Sequence, residues 1–180
     1  MFPVDVMISS GEMNVLECLS SDRGAINRAA GVKDRRVGAG SSVYYDLDGV
    51  IGERAVAKVL GVPMDLTTHL RSHGVDMVSR SGVSVDVKTS RRPDARLISP
   101  VGKVIEAEVL VLAIIRGAWE RSMMVTLAGW ARSEDLISDR RRVDPGGRIK
   151  VRCPTYVIER SDLLTSSYPF GHIRRPNVEE

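Results

Sequence analysis

Residues 109–115 read Val-Leu-Val-Leu-Ala-Ile-Ile, an unbroken apolar run bounded by Glu108 and Arg116. Its length suits a central strand buried on both faces and falls well short of a membrane span, which needs ~18 apolar residues. A strand of that kind needs other layers of the chain on each side of it. With 43% hydrophobic residues in a chain of 180, there is enough apolar material for one compact core.

The flanking segments mix helix and strand signals. Asp48 precedes Gly49-Val50-Ile51-Gly52-Glu53-Arg54-Ala55-Val56-Ala57-Lys58-Val59-Leu60-Gly61. This predicts a helix with Asp48 near its start, Gly61 just past its end, and Val50, Val56, Val59 and Leu60 on its apolar face. Residues 75–78 and 83–89 are short and rich in β-branched side chains, and the intervening Ser79-Arg80-Ser81-Gly82 predicts a hairpin. In its second strand Val85 and Val87 fall on one face and Ser84, Asp86 and Lys88 on the other, because successive side chains alternate. One face packs; the other presents an acid and a base.

Residues 123–130 predict a further strand, after which Ser133 is placed to cap a helix opened by Glu134, Asp135, Leu136 and Ile137. Upstream, a short helix is expected over 13–19, followed by a polar connector carrying Arg23, Arg28, Lys33, Arg35 and Arg36 to Gly38-Ala39-Gly40. The expected organisation is a basic helical extension over 1–45, one domain over 46–165, and a loosely ordered tail over 166–180.

Charge narrows the function classes. The 26 Lys and Arg against 23 Asp and Glu leave a formal net charge of +3, so any nucleic-acid affinity must come from clustering. Arg91, Arg92 and Arg96 follow the second hairpin strand and are expected phosphate contacts. Arg140, Arg141, Arg142, Arg148, Lys150 and Arg152 surround the turn Asp144-Pro145-Gly146-Gly147. Aromatic residues make up 4% of the chain, which argues against a platform that stacks single-stranded bases. Cys18 and Cys153 lie far apart and read as free thiols of a reducing compartment. With no basic-then-apolar opening in Met1-Phe2-Pro3-Val4-Asp5-Val6, the expectation is a cytoplasmic protein without a membrane segment.

The chemistry-bearing residues are Asp76, Asp86 and Lys88. Hydrolysing a phosphodiester at neutral pH requires a nucleophilic water, charge stabilisation on the phosphoryl oxygens and help for the leaving oxygen, all of which a carboxylate-held divalent ion supplies. Magnesium prefers oxygen ligands and keeps several waters, so one or two carboxylates suffice to hold it beside a phosphate. Paired as a hairpin, the two strands bring Asp76 and Asp86 to one ion, with the Val87 carbonyl as a further ligand. Lys88 then orients or deprotonates the attacking water.

Gly52-Glu53 on a helix, Gly74-Val75-Asp76, and Asp86-Val87-Lys88, in that order and with nine residues between the aspartates, resemble the PD-(D/E)XK nuclease superfamily. That superfamily includes restriction endonucleases, archaeal-type Holliday junction resolvases and phage exonucleases. Val75 stands where the family's name has proline. The resemblance implies a restriction endonuclease-like α/β core, a mixed β-sheet flanked by helices, built as helix, three-stranded meander, helix and strand. It implies Glu53, Asp76, Asp86 and Lys88 as catalytic residues and Mg2+, for which Mn2+ may substitute, as cofactor. Double-stranded or branched DNA is the implied substrate, a homodimer the implied assembly, and no small-molecule cofactor is expected.

Two other motifs compete. Tyr45-Asp46-Leu47-Asp48-Gly49-Val50 resembles the first motif of haloacid-dehalogenase-type phosphatases, in which the first Asp is the nucleophile on a loop leaving a buried strand. The preceding Gly40-Ser41-Ser42-Val43-Tyr44 is too polar and short for that strand. His69 and His73 share one helix face at a spacing of four, but no third zinc ligand accompanies them. A non-catalytic DNA-binding protein on the same fold is the remaining alternative.

Overall fold

The computed structural model describes residues 2–31, 42–69, 74–117, 121–147, 149, 151–167 and 169–170. The predicted connector over 32–41, His73, Arg148, Lys150 and residues 171–180 lie outside them. Eight strands run in chain order as β1 (Val4–Ile8), β2 (Met77–Val78), β3 (Ser84–Ser90), β4 (Leu97–Pro100), β5 (Val109–Arg116), β6 (Met123–Arg132), β7 (Arg142–Val143) and β8 (Thr155–Ile158). The helices are α1 (Ser10–Ala29), α2 (Ser42–Leu60) and the single turn α3 (Ser133–Leu136).

The main sheet has the order β1-β6-β5-β3-β2, which places the apolar run of β5 in the middle. β5 pairs in parallel with β3 and antiparallel with β6, so the sheet is mixed. Alternate residues of β5 enter two separate cores. Val109, Val111, Ala113 and Ile115 join Leu16, Leu19, Val50, Ile51, Val56 and Val59 under α1 and α2. Leu110, Leu112 and Ile114 meet Leu97, Ile158, Leu136 and Leu163 beneath a second sheet of order β4-β8-β7. The layers are therefore helices, main sheet, small sheet. Each buried Leu, Ile or Val contributes about 1.5–3 kcal/mol, which explains why an apolar run without polar interruption occupies this strand.

α1 begins with a capping box. The Ser9 side chain accepts from the Glu12 N–H, and the Glu12 carboxylate accepts from the Ser9 N–H at 2.9 Å. The same carboxylate receives Arg54 Nε at 2.8 Å and Lys58 Nζ at 2.9 Å, which pins α1 to α2. α1 is 20 residues long and extends well beyond the helix predicted over 13–19. It continues through Gly24, where an added Cβ would lie 3.0 Å from Asp46 Oδ2 of α2.

Several expectations need correction. α2 starts at Ser42, so Asp48 lies inside the helix and not at its cap. The helix does end as predicted, with Gly61 at φ 63°. Within the expected extension over 1–45, the described residues 2–31 belong to the main fold: β1 is a strand of the main sheet, paired with β6, and α1 covers that sheet. Nor do the described residues at the start of the expected tail, 166–167 and 169–170, hang loose. Trp130 Nε1 donates to the Ser166 carbonyl at 3.0 Å, and Phe170 is buried edge-on against Phe2 and Trp130. Ser133 donates its hydroxyl to the Ala107 carbonyl and caps nothing; Arg132 is the residue at the start of α3. The β2–β3 hairpin forms as predicted, with Gly82 at φ 89° in the turn. A three-stranded meander does not form among the described residues, because after the β2–β3 hairpin β4 pairs with β8 in the second sheet and β3 pairs with β5. The crossover from β3 to β5 carries β4 where a helix was expected.

Candidate active site

Three segments bring the predicted residues together. Glu53 comes from the middle of α2, Asp76 immediately precedes β2, and Asp86 and Lys88 lie on β3. The Asp76 N–H donates to the Val85 carbonyl at 2.8 Å, continuing the hairpin ladder one step. The Asp76 carboxylate in turn accepts from the Val87 N–H at 2.7 Å, which fixes it against the backbone between Asp86 and Lys88. α2 approaches β3 very closely beside Glu53. A Cβ added at Gly52 would lie 2.0 Å from Thr89 Oγ1, so only glycine permits this spacing.

Asp76 is the electrostatic centre of the group. Burial, then the neighbouring charge of Glu53, and further the charge of Asp86, push its carboxyl up to about 7, against the downward pull of the Val87 N–H and Lys88. Asp86 is itself buried, so its face of β3 does not simply present it to solvent as the alternation predicted. Lys88 lies between these extremes, with its Nζ on both carboxylate oxygens of Asp86. Glu53 receives Arg23 NH1 of α1 at 3.1 Å. Among the described residues, no three His, Cys, Asp or Glu side chains form a group able to hold a metal ion. Two of the acids concerned are bridged by cationic side chains of the protein itself.

The expected phosphate contacts are also engaged. Arg91 Nε bonds both carboxylate oxygens of Asp48 at 2.9 and 3.0 Å, and Arg91 NH1 reaches the Gly117 carbonyl at 3.2 Å. Arg92 pairs with Asp94 at 2.8 Å and Arg96 with Glu159 at 2.7 Å. In the later cluster Arg141 and Arg142 pair with Asp162 and Asp144. These five arginines are compensated, Arg92 and Arg142 by acids two residues away and Arg91, Arg96 and Arg141 by acids that packing brings from distant segments.

The competing motifs fare differently. Asp46 and Asp48 lie within α2, so the strand-to-loop junction of a phosphatase nucleophile is absent there. Burial raises the Asp48 carboxyl above its ordinary value despite the opposing Arg91. His69 is exposed.

Sequence reasoning missed Arg23. Leu16, Leu19 and Ser20 are buried on α1, and Arg23 follows Leu19 by four residues on that face. A cation on the inward face of a helix was the available signal, but it is visible only if the helix is read through to Ala29.

No family model matches this chain, and neither curated proteins nor solved structures give a significant match.

Proposed function

We propose that this chain is a divalent-metal-dependent nuclease with a restriction endonuclease-like core, hydrolysing phosphodiester bonds in double-stranded or branched DNA. The observation that carries this reading is the meeting of Asp76 with Glu53, Asp86 and Lys88, residues drawn from a helix, a hairpin edge and an adjoining strand. Four such side chains gathered at the cost of burying several charges call for a function beyond folding.

The donors are all oxygen, the kind a hard cation prefers, but among the described residues they supply fewer than three grouped acids, so solvent and substrate would have to complete the shell. Asp76 sits among negative neighbours and retains a proton to about 7, as expected where positive charge is wanted. Asp76 and Asp86 would hold the ion, with the Val87 carbonyl beside them and Glu53 supporting a second ion or its water. Two carboxylates suffice because magnesium completes its shell with waters and substrate phosphate. When bound, the ion supplies a nucleophilic water at neutral pH and stabilises charge on the phosphoryl oxygens. Lys88 would then leave Asp86, and its ammonium would orient the attacking water and offset phosphate charge; it would act as a base only after giving its own proton to solvent. The Val87 N–H keeps Asp76 in place throughout. A homodimer with two sites across a duplex belongs to the same proposal.

The test incubates purified protein with linear duplex, single-stranded, flapped and four-way-junction DNA, with magnesium, manganese or chelator, beside Asp86→Ala and Lys88→Ala. Metal-dependent cleavage lost in both variants is the expected result. DNA binding without cleavage on every substrate would overturn the proposal in favour of a non-catalytic binder.

A further inference from the structure

We infer that Arg23 is a positioning residue of this site, acting through Glu53; the inference rests on the nuclease reading above. Its guanidinium spends its donors on three different parts of the chain. NH1 holds Glu53 Oε2 at 3.1 Å, NH2 donates to the Asp65 carbonyl at 2.6 Å, and Nε donates to the Thr67 carbonyl at 3.1 Å. The Asp65 carboxylate lies a further 4.0 Å from NH2.

The side chains of Arg23 and Glu53 are only 11% and 12% exposed. A surface ion pair contributes little, but a planar fork fixed on two backbone carbonyls is held rigidly and presents its remaining edge in one orientation. Glu53 thus has its carboxylate direction set by α1 and the turn at residues 65–67, not by α2 alone. The guanidinium also supplies a positive charge beside a group containing Glu53, Asp76 and Asp86. Both effects are aimed at the same carboxylate: without Arg23, Glu53 loses the contact that holds its Oε2 toward α1 and can approach the ion more closely. Metal binding should tighten while turnover falls, whereas a loss of folding would weaken both.

The experiment measures Mn2+ affinity by calorimetry, and kcat and KM for DNA cleavage, in the wild type, Arg23→Gln, Arg23→Lys, Glu53→Gln and the Arg23→Gln/Glu53→Gln pair. Arg23→Gln is expected to tighten Mn2+ binding about three- to tenfold and to lower kcat about tenfold or more at nearly unchanged KM. Arg23→Lys, which keeps the charge without the fork, should leave Mn2+ affinity near the wild-type value and recover only part of kcat. In the Glu53→Gln background the Arg23→Gln effects on both quantities should shrink at least threefold, as coupled residues require. Weakened Mn2+ binding in Arg23→Gln, or equal effects in both backgrounds, would overturn the inference. Wild-type protein that binds Mn2+ with this coupling yet cleaves no DNA overturns the nuclease reading and leaves the positioning role standing. Cleavage by the wild type without the coupling does the reverse.

Discussion

At the scale of single residues, Asp76 links the pH response of the fold to the site. Its carboxyl is raised to about 7 by burial and by Glu53 and Asp86, whereas in the unfolded chain it titrates near 3.8. The stabilisation from its proton is fully present below about 4 and is lost as pH rises through about 7. Each unit is worth about 1.4 kcal/mol, so ionised Asp76 costs on the order of a few kcal/mol at pH 8. Asp76→Asn, which can still accept from the Val87 N–H, should abolish cleavage while raising Tm at pH 8 by about 5 °C and flattening the stability profile between pH 4 and 7. Thermal melts across that range check it; an unchanged profile would show that the carboxyl is not held protonated. Added Mn2+ should stabilise the wild type more at pH 8 than at pH 6, and Asp76→Asn hardly at all.

The Arg91–Asp48 pair supports a second prediction. Removing one partner strands a buried charge, so Arg91→Ala should destabilise by about 2–3 kcal/mol, and Asp48→Asn added to it should restore at least half. Arg92→Ala, whose pair with Asp94 lies fully in solvent, should leave the unfolding midpoint unchanged. Chemical denaturation of the four proteins separates these outcomes. These residues also show where sequence reading stops. Glu53, Asp76, Asp86 and Lys88 were legible because their order and spacing carry a pattern. The partners Arg23 for Glu53 and Asp48 for Arg91 were not, since they lie 30 and 43 positions away and only packing brings them together.

Among elements, the contact of α2 with β3 governs the site. At Gly52 an added methyl meets the Thr89 hydroxyl at 2.0 Å, so Gly52→Ala should cost about 1–3 kcal/mol by overpacking and displace Glu53 from Asp76. Thr89→Ala introduced alongside should recover most of the stability and part of the cleavage rate. No recovery in the double variant would mean that the Thr89 contact is not what requires glycine at this position. Gly52-Glu53 was legible as a motif, but the reason for its glycine was not, because Thr89 is a neighbour only in space. The buried central strand, the β2–β3 hairpin and the end of α2 were read correctly from apolar continuity, a four-residue turn and a glycine. β1, β4 and β8 escaped because short strands stabilised by distant partners carry little local signal. The start of α1 was readable from Ser9 and Glu12, a capping box three residues apart.

For the whole molecule, the largest departure from expectation lies at the two ends of the described chain. Phe170 is 3% exposed and packs at 5.5 Å from Trp130 and 6.3 Å from Phe2. Phe170→Ala should cost about 3–5 kcal/mol and lower Tm by about 10 °C, far more than a change in a tail. Melting curves decide this, and a shift under 2 °C would mean that the ring contributes nothing to closure.

The same junction bears on how the chain may be cut. Phe2 donates its N–H to the Thr165 carbonyl at 2.8 Å and touches Phe170, while Glu53, Asp76, Asp86 and Lys88 all fall within one uninterrupted stretch of sequence. Among the described residues the path closes near Phe2 and Phe170, with these four residues on one arc and the seam on another. A circular permutant joined across that seam by a linker, and opened at the exposed Arg121, would keep Glu53, Asp76, Asp86 and Lys88 in their original order.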